Sequence, residues 1–130
     1  MDEDGLRTVH RQLNRTIITH CDFKKAIEKV KKDDYVFLDP PYTVAHNING
    51  FIEYNQKIFT WMDQRRLANC VKEIIDKGAF FLMTNASHSS IKDLYKGIGK
   101  QYSIERFSTI SGNINSRFKI AELIITNCNN

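Results

Sequence analysis

Short continuous apolar runs alternate with apolar residues at helical spacing along this chain. Tyr35-Val36-Phe37-Leu38 and Ala79-Phe80-Phe81-Leu82-Met83 are the clearest runs, and both predict buried strands. Thr84-Asn85-Ala86-Ser87 closes the second of them. Thr16-Ile17-Ile18-Thr19, β-branched throughout, predicts a shorter strand. Tyr102–Ile110 and Ile120–Thr126 are β-rich and flank Ser111–Ser116, a stretch of Gly, Asn and Ser. They predict the arms of an antiparallel pair.

The helical stripes fall between these runs. Phe23, Ile27 and Val30 sit at helical spacing in a lysine-rich segment, predicting a short helix over 23–32 capped by Asp22. Its lysines read as a solvated face rather than a nucleic-acid contact. Asp33-Asp34 predicts a turn. Thr60-Trp61-Met62-Asp63 has the form of a capping box, followed by the stripe Leu67, Val71, Ile74, Ile75 and the stop signal Gly78. Ser90–Lys96 predicts a short helix with Ile91, Leu94 and Tyr95 inward, ended by Gly97. Residues 1–15 are polar and aperiodic, a frayed or helical lead-in. Residues 43–60 lack a period yet carry Phe51, Tyr54 and Phe59, which predicts an ordered or substrate-ordered loop.

The predicted order is β-α-β-loop-α-β-α-β-β, an α/β arrangement with helices on the faces of a mostly parallel sheet. A length of 130 residues allows one domain. The composition, 42% hydrophobic and 26% charged, is that of an ordinary globular protein. No apolar run approaches the roughly 20 residues of a membrane helix. The charged start, MDEDGLRTVHRQLNR, has no apolar signal core, so a cytoplasmic protein is expected. Cys21, Cys70 and Cys128 are scattered and read as reduced thiols. His10, His20, His46 and His88 are isolated, and no metal-ligand spacing is visible. A net charge of +4 mildly favours a polyanionic partner.

The candidate chemistry lies where the first clear strand ends, at Asp39-Pro40-Pro41-Tyr42. Two prolines stop any ladder or helix, since neither has an N–H to donate. The elbow therefore presents a carboxylate, carbonyls without a regular partner and a flat ring. In open α/β sheets ligands bind at this end of the strands. The set suits holding an exocyclic amine while stacking on its heterocycle. A bland alternative is a rigid turn with Tyr42 packed inside.

Further motifs stand in order after this elbow: Phe51, Tyr54 and Phe59, then Asp63-Gln64-x-x-Leu67, the strand ending Thr84-Asn85, and Arg117 before Glu122-Leu123-Ile124-Ile125-Thr126-Asn127. Together they resemble the Dam-type (D12 class) DNA adenine-N6 methyltransferases over roughly residues 16–127. The resemblance implies methyl transfer from S-adenosylmethionine to adenine N6 in DNA. It implies that Asp39 accepts a hydrogen bond from the target amine and also touches the cofactor. By the same resemblance the Pro40 carbonyl, next to Pro41, accepts the second amine hydrogen and Tyr42 stacks on the flipped adenine. Asp22 and Phe23 match the segment near the cofactor's adenine. Phe51 and Tyr54 match the loop over the substrate pocket, and Arg117 lies on the DNA side.

The family's glycine-rich cofactor loop has no counterpart, since Gly5 is the only glycine before Asp39. The segment that reads the DNA sequence has none either. In the family strand order, 3-2-1-4-5-7-6, the strand at 16–19 is the third and Tyr35–Leu38 the fourth. The expected fold is thus a partial Rossmann-like class I methyltransferase sheet, with a C-terminal antiparallel pair and without the first cofactor-binding strands. Residues 16–127 form the C-terminal part of a catalytic domain and 128–130 a tail. The chain is then a fragment or subunit needing an N-terminal half, or an inactive remnant that binds nucleic acid or a partner chain. The open edge of the Asp39 strand also allows self-association.

Overall fold

A computed structural model describes residues 3–45, 58–107 and 119–128. The apolar runs become strands β1 (Tyr35–Leu38), β2 (Phe80–Ala86), β3 (Lys100–Phe107) and β4 (Lys119–Thr126). They form one open, mixed sheet in the order β1-β2-β4-β3. β1 and β2 are parallel, with Tyr35 beside Phe80 and Leu38 beside Met83. β4 runs antiparallel to both β2 and β3.

β1, β2 and β3 therefore run in one direction and β4 alone runs against them, a mixed sheet whose last two strands are the expected antiparallel pair. β4 lies between β2 and β3. The strand expected at Thr16–Thr19 is absent. These residues have no regular structure, and Ile17 is 91% exposed. β-branched residues form a strand only where a neighbouring strand offers a ladder, and no strand of the described residues pairs with them.

The helices are α1 (Glu3–Leu13), α2 (Phe23–Glu28), α3 (Trp61–Asp76) and α4 (Ser89–Leu94). α1 resolves the lead-in as helical, with Leu6, Val9 and Leu13 exposed at helical spacing. α2 is shorter than predicted. The Asp34 carboxylate accepts from the Lys31 amide at 2.8 Å, and Asp33 takes φ +66°, which turns the chain back toward β1. Asp tolerates that left-handed conformation better than most residues. The capping box of α3 forms as predicted: the Asp63 amide donates to Thr60 Oγ1 at 3.2 Å, and the Thr60 amide to Asp63 Oδ2 at 3.0 Å. Gly78, at φ +73°, ends the helix, with its amide on the Ile75 carbonyl and that of Ala79 on Ile74. That paired closure requires a left-handed residue after the last turn.

Among the described residues, one sheet face is packed and the other is largely uncovered. Phe81 and Met83 on β2 and Leu123 and Ile125 on β4 are buried with Leu67, Val71 and Ile74 of α3 and with Ile91 and Tyr95. Side chains alternate across a strand, so the intervening positions take the other face. There Tyr35 and Phe37 are 60% and 61% exposed, and Phe80, Tyr102 and Ile104 are exposed beside them. No helix of the described residues is long and apolar enough to cross a membrane.

Candidate active site

Asp22 begins the site because it begins α2. Its Oδ1 accepts from the Lys24 amide at 2.9 Å, an N-cap contact. Arg66, one turn into α3, donates from Nη2 to both Asp22 oxygens at 3.1 and 3.0 Å, and from Nη1 to Asp63 at 2.8 Å. The same guanidinium lies 4.8 Å from the centre of the Phe23 ring, a cation–π distance. Phe23 in turn meets Phe59 with ring centres 6.0 Å apart. One long side chain thus fixes the carboxylate and covers the ring beside it.

These contacts set the local electrostatics. The Arg66 hydrogen bond, then the Lys24 amide, hold the Asp22 carboxyl below the usual carboxylate value. The Thr60 hydroxyl and amide do the same for Asp63, with Arg66 adding to it. Both acids keep Arg66 firmly protonated. Asp22 and Arg66 are 42% and 46% exposed at their side chains, so water screens the pair and its role is positional.

Asp39 lies one position beyond the last register pair of β1 and β2. It is exposed, and its Oδ1 accepts from Thr84 Oγ1 at 2.6 Å. Pro40, Pro41 and Tyr42 are half-buried. Tyr42 is not part of the core, so the elbow is not a turn built around a packed ring. The chain beyond is pinned firmly. Buried Thr43 donates to the Phe59 carbonyl at 2.7 Å, and the Ala45 amide donates to Ser90 Oγ at 3.3 Å.

Asp22 and Asp39 come together in one hollow of about 350 Å³. Cys21, Asp22 and Phe23 form one wall, Phe37 to Pro41 another, and Phe59 and Leu67 the floor. That volume is at the lower end of the range for small-molecule sites. A larger hollow of about 530 Å³, between Trp61, Arg65, His88 and Asp93, holds none of the predicted residues. Phe51, Tyr54 and Arg117 lie outside the described residues.

Arg66, Thr84, Phe59 and Leu67 complete the site beyond what the sequence assigned to it. The clamp of Arg66 on Asp22 spans 44 positions and leaves no local signal. Gln64 and Asn85, both fully buried, add a further feature: both amide atoms of Gln64 and the Asn85 Nδ2 have no hydrogen-bond partner among the described residues.

The sequence matches known proteins along most of its length. The family model for D12 class N6 adenine-specific DNA methyltransferases matches residues 1–110. The type II methyltransferase M1.LlaDCHI of Lactococcus lactis subsp. cremoris is 33% identical over 132 residues, covering 100% of this chain and 46% of the relative. The DNA adenine methylase of Haemophilus influenzae is 32% identical over 94% of this chain and 43% of its own length. Type II methyltransferase M.MjaIII of Methanocaldococcus jannaschii is 29% identical over 97% of this chain and 44% of its own. The chain spans less than half the length of these curated relatives. On the family match over most of its length, the chain belongs to the D12 class N6 adenine-specific DNA methyltransferases.

Proposed function

We propose that this chain carries the substrate side of an adenine-N6 DNA methyltransferase, acting with a polypeptide that supplies an N-terminal half. The observation that carries the reading is the hollow that joins Asp22 and Phe23 to Asp39 and its prolines, two segments far apart in sequence. The order β1-β2-β4-β3 supports reading these strands as 4, 5, 7 and 6 of the family order. Residues 16–127 are then the C-terminal part of the catalytic domain, 128–130 a tail, and the cytoplasm, with the DNA, the site of action.

Adenine N6 is a poor nucleophile, because its lone pair is delocalised into the ring. The Asp39 carboxylate and the Pro40 carbonyl, one on each N–H, favour a pyramidal nitrogen with its lone pair free to attack. That is positioning combined with stabilisation of developing charge. The target atom is out of reach inside a duplex, so the base is extruded, and stacking on Tyr42 offsets part of the unstacking cost.

S-adenosylmethionine, when bound, supplies the electrophilic methyl group. The hollow suits its adenosyl end, with ring-lined apolar walls and carboxylate oxygens as acceptors for its amine and hydroxyls, the charge of Asp22 being offset by Arg66. Asp22, Phe23 and Asp39 are the residues to hold it. No glycine of the described residues lines this hollow.

The test is methyl transfer to duplex DNA, followed with labelled cofactor, by the chain combined with the portion of a relative that it does not span. Transfer is expected, and Asp39→Ala abolishes it. Near-normal transfer by that variant would refute the role of Asp39.

A further inference from the structure

The larger hollow, of about 530 Å³, is separate from the one that joins Asp22 to Asp39, and its lining is of another kind. It forms at the carboxyl end of the parallel strands, where ligands of open α/β sheets bind. Ala45 follows the elbow of β1, His88 follows β2, and Trp61 and Arg65 stand at the start of α3. Trp61 is packed against the core and still lines the hollow, so it offers a fixed, flat wall. Arg65 is exposed and, unlike Arg66, makes no ion pair among the described residues. The Ser90 amide donates to His88 Nδ1 at 3.2 Å, so this nitrogen is the acceptor of a neutral ring and Nε2 carries the proton. Ser90 Oγ lies 2.8 Å from the same nitrogen and accepts from the Ala45 amide at 3.3 Å, which ties the rim of the hollow to the chain leaving Tyr42.

We propose that this hollow is a nucleotide site, taking one nucleotide of a DNA strand beside the base held at the Asp39 elbow. The indole of Trp61 suits a base, because every base has a ring face that stacks on an aromatic. Arg65 suits a phosphate as a cation, and the His88 Nε2–H suits it as a neutral donor. Asp93 adds an acid to the lining, so a bare anion is a poor occupant, whereas a base with an exocyclic amine gives that carboxylate a donor. A flat ring, an anionic group and an amine in one ligand describe a nucleotide. The volume lies within the range of small-molecule sites. A strand is favoured over a free nucleotide because Ala45 stands three residues past Tyr42 and is held to the rim by Ser90. Three residues reach at most about 10 Å, a span that one or two nucleotides cover. The nucleotide chemistry rests on the lining alone; the strand as its source rests on the methyltransferase reading.

Trp61 is the only tryptophan in the chain, so its emission reads the hollow directly. The chain is titrated with a single-stranded oligodeoxynucleotide and, separately, with deoxyadenosine monophosphate. Saturable quenching by the oligonucleotide is expected, with the mononucleotide binding much more weakly. Arg65→Ala should weaken oligonucleotide binding roughly tenfold and lower the slope of its salt dependence by about one. Lys72→Ala removes the same charge two turns further along α3 and should leave both nearly unchanged. Trp61→Leu, followed by the anisotropy of a labelled oligonucleotide, should also weaken binding roughly tenfold through lost stacking. Should that variant fail to fold, Arg65→Ala decides, since Arg65 is exposed. Emission unmoved by either ligand, or an Arg65→Ala loss no larger than that of Lys72→Ala, would overturn the proposal. A mononucleotide that binds as tightly as the oligonucleotide would overturn the strand as the source. None of these readouts involves methyl transfer, so their failure is distinct from failure of the roles proposed at Asp39.

Discussion

Thr84 and Asp39 stand side by side on neighbouring parallel strands, and the threonine hydroxyl donates to the aspartate at 2.6 Å. A carboxylate on a short side chain at a strand end can swing freely about its bonds. This hydrogen bond chooses one rotamer and leaves Oδ2 for another donor. Thr84→Val should therefore lower the rate of methyl transfer by about 10- to 100-fold, the range of a hydrogen bond to a charged group. On the role proposed for Asp39, the effect falls on kcat rather than KM, because the bond orients the group proposed to act in the transition state. Thr84→Ser should recover most of the rate. A valine variant with full activity would remove Thr84 from the site.

Cys21 offers a direct probe of the hollow. It is exposed and lines the wall beside Asp22, whereas Cys70 is buried and its thiol is pushed up by burial. A thiol reagent applied to the folded chain should modify Cys21 quickly and Cys70 only on unfolding. With the proposed N-terminal half supplied, saturating S-adenosylhomocysteine should slow the Cys21 reaction and leave Cys128 unaffected. An unchanged Cys21 rate means that the hollow is not the cofactor seat.

The cap on α3 makes a pH-dependent contribution with a definite sign. Asp63 is held below its ordinary value near 3.8, chiefly by Thr60. A depressed carboxylate contributes stability that is complete above the unfolded value and is lost as pH falls through the folded one. No loss from this source is expected between pH 7 and 5, and the loss begins only below about pH 4. Thr60→Ala should cost about 1 kcal/mol at neutral pH and flatten that acid limb. Urea unfolding of both proteins across the pH range measures the difference.

Gln64 is a buried amide whose hydrogen bonds are unmade among the described residues. Burying such a group uncompensated costs roughly 1–3 kcal/mol. Gln64→Met keeps the volume and removes the polar atoms, so it should raise the urea midpoint. A lower midpoint would mean that Gln64 has a partner in solution, such as an enclosed water.

Much of this architecture was legible because its signals are local. Tyr35–Leu38, the capping box at Thr60, the stop at Gly78 and the antiparallel arms of β3 and β4 each depend on a few adjacent residues. The failures are all long-range. Thr16–Thr19 has the composition of a strand but no strand to pair with among the described residues. β2 runs on through Ala86 because Thr84, Asn85 and Ala86 find partners at Ile124, Leu123 and Glu122, far along the chain. The site divides in the same way. The Asp39 elbow announces itself by its prolines, and Asp22 by its place before a helix. The residues that orient them, Thr84 and Arg66, lie 45 and 44 positions away in sequence.

Phe37 links two events that would otherwise be independent. It forms part of the hollow and part of the uncovered sheet face. If the proposed N-terminal half covers this face, a ligand that packs on the ring binds more tightly in its presence, and thermodynamic reciprocity requires the cover to hold more tightly, by the same factor, once the ligand is bound. Cofactor concentration would then act as a control on assembly, and two loosely matched halves would hold together best when a methyl donor is at hand.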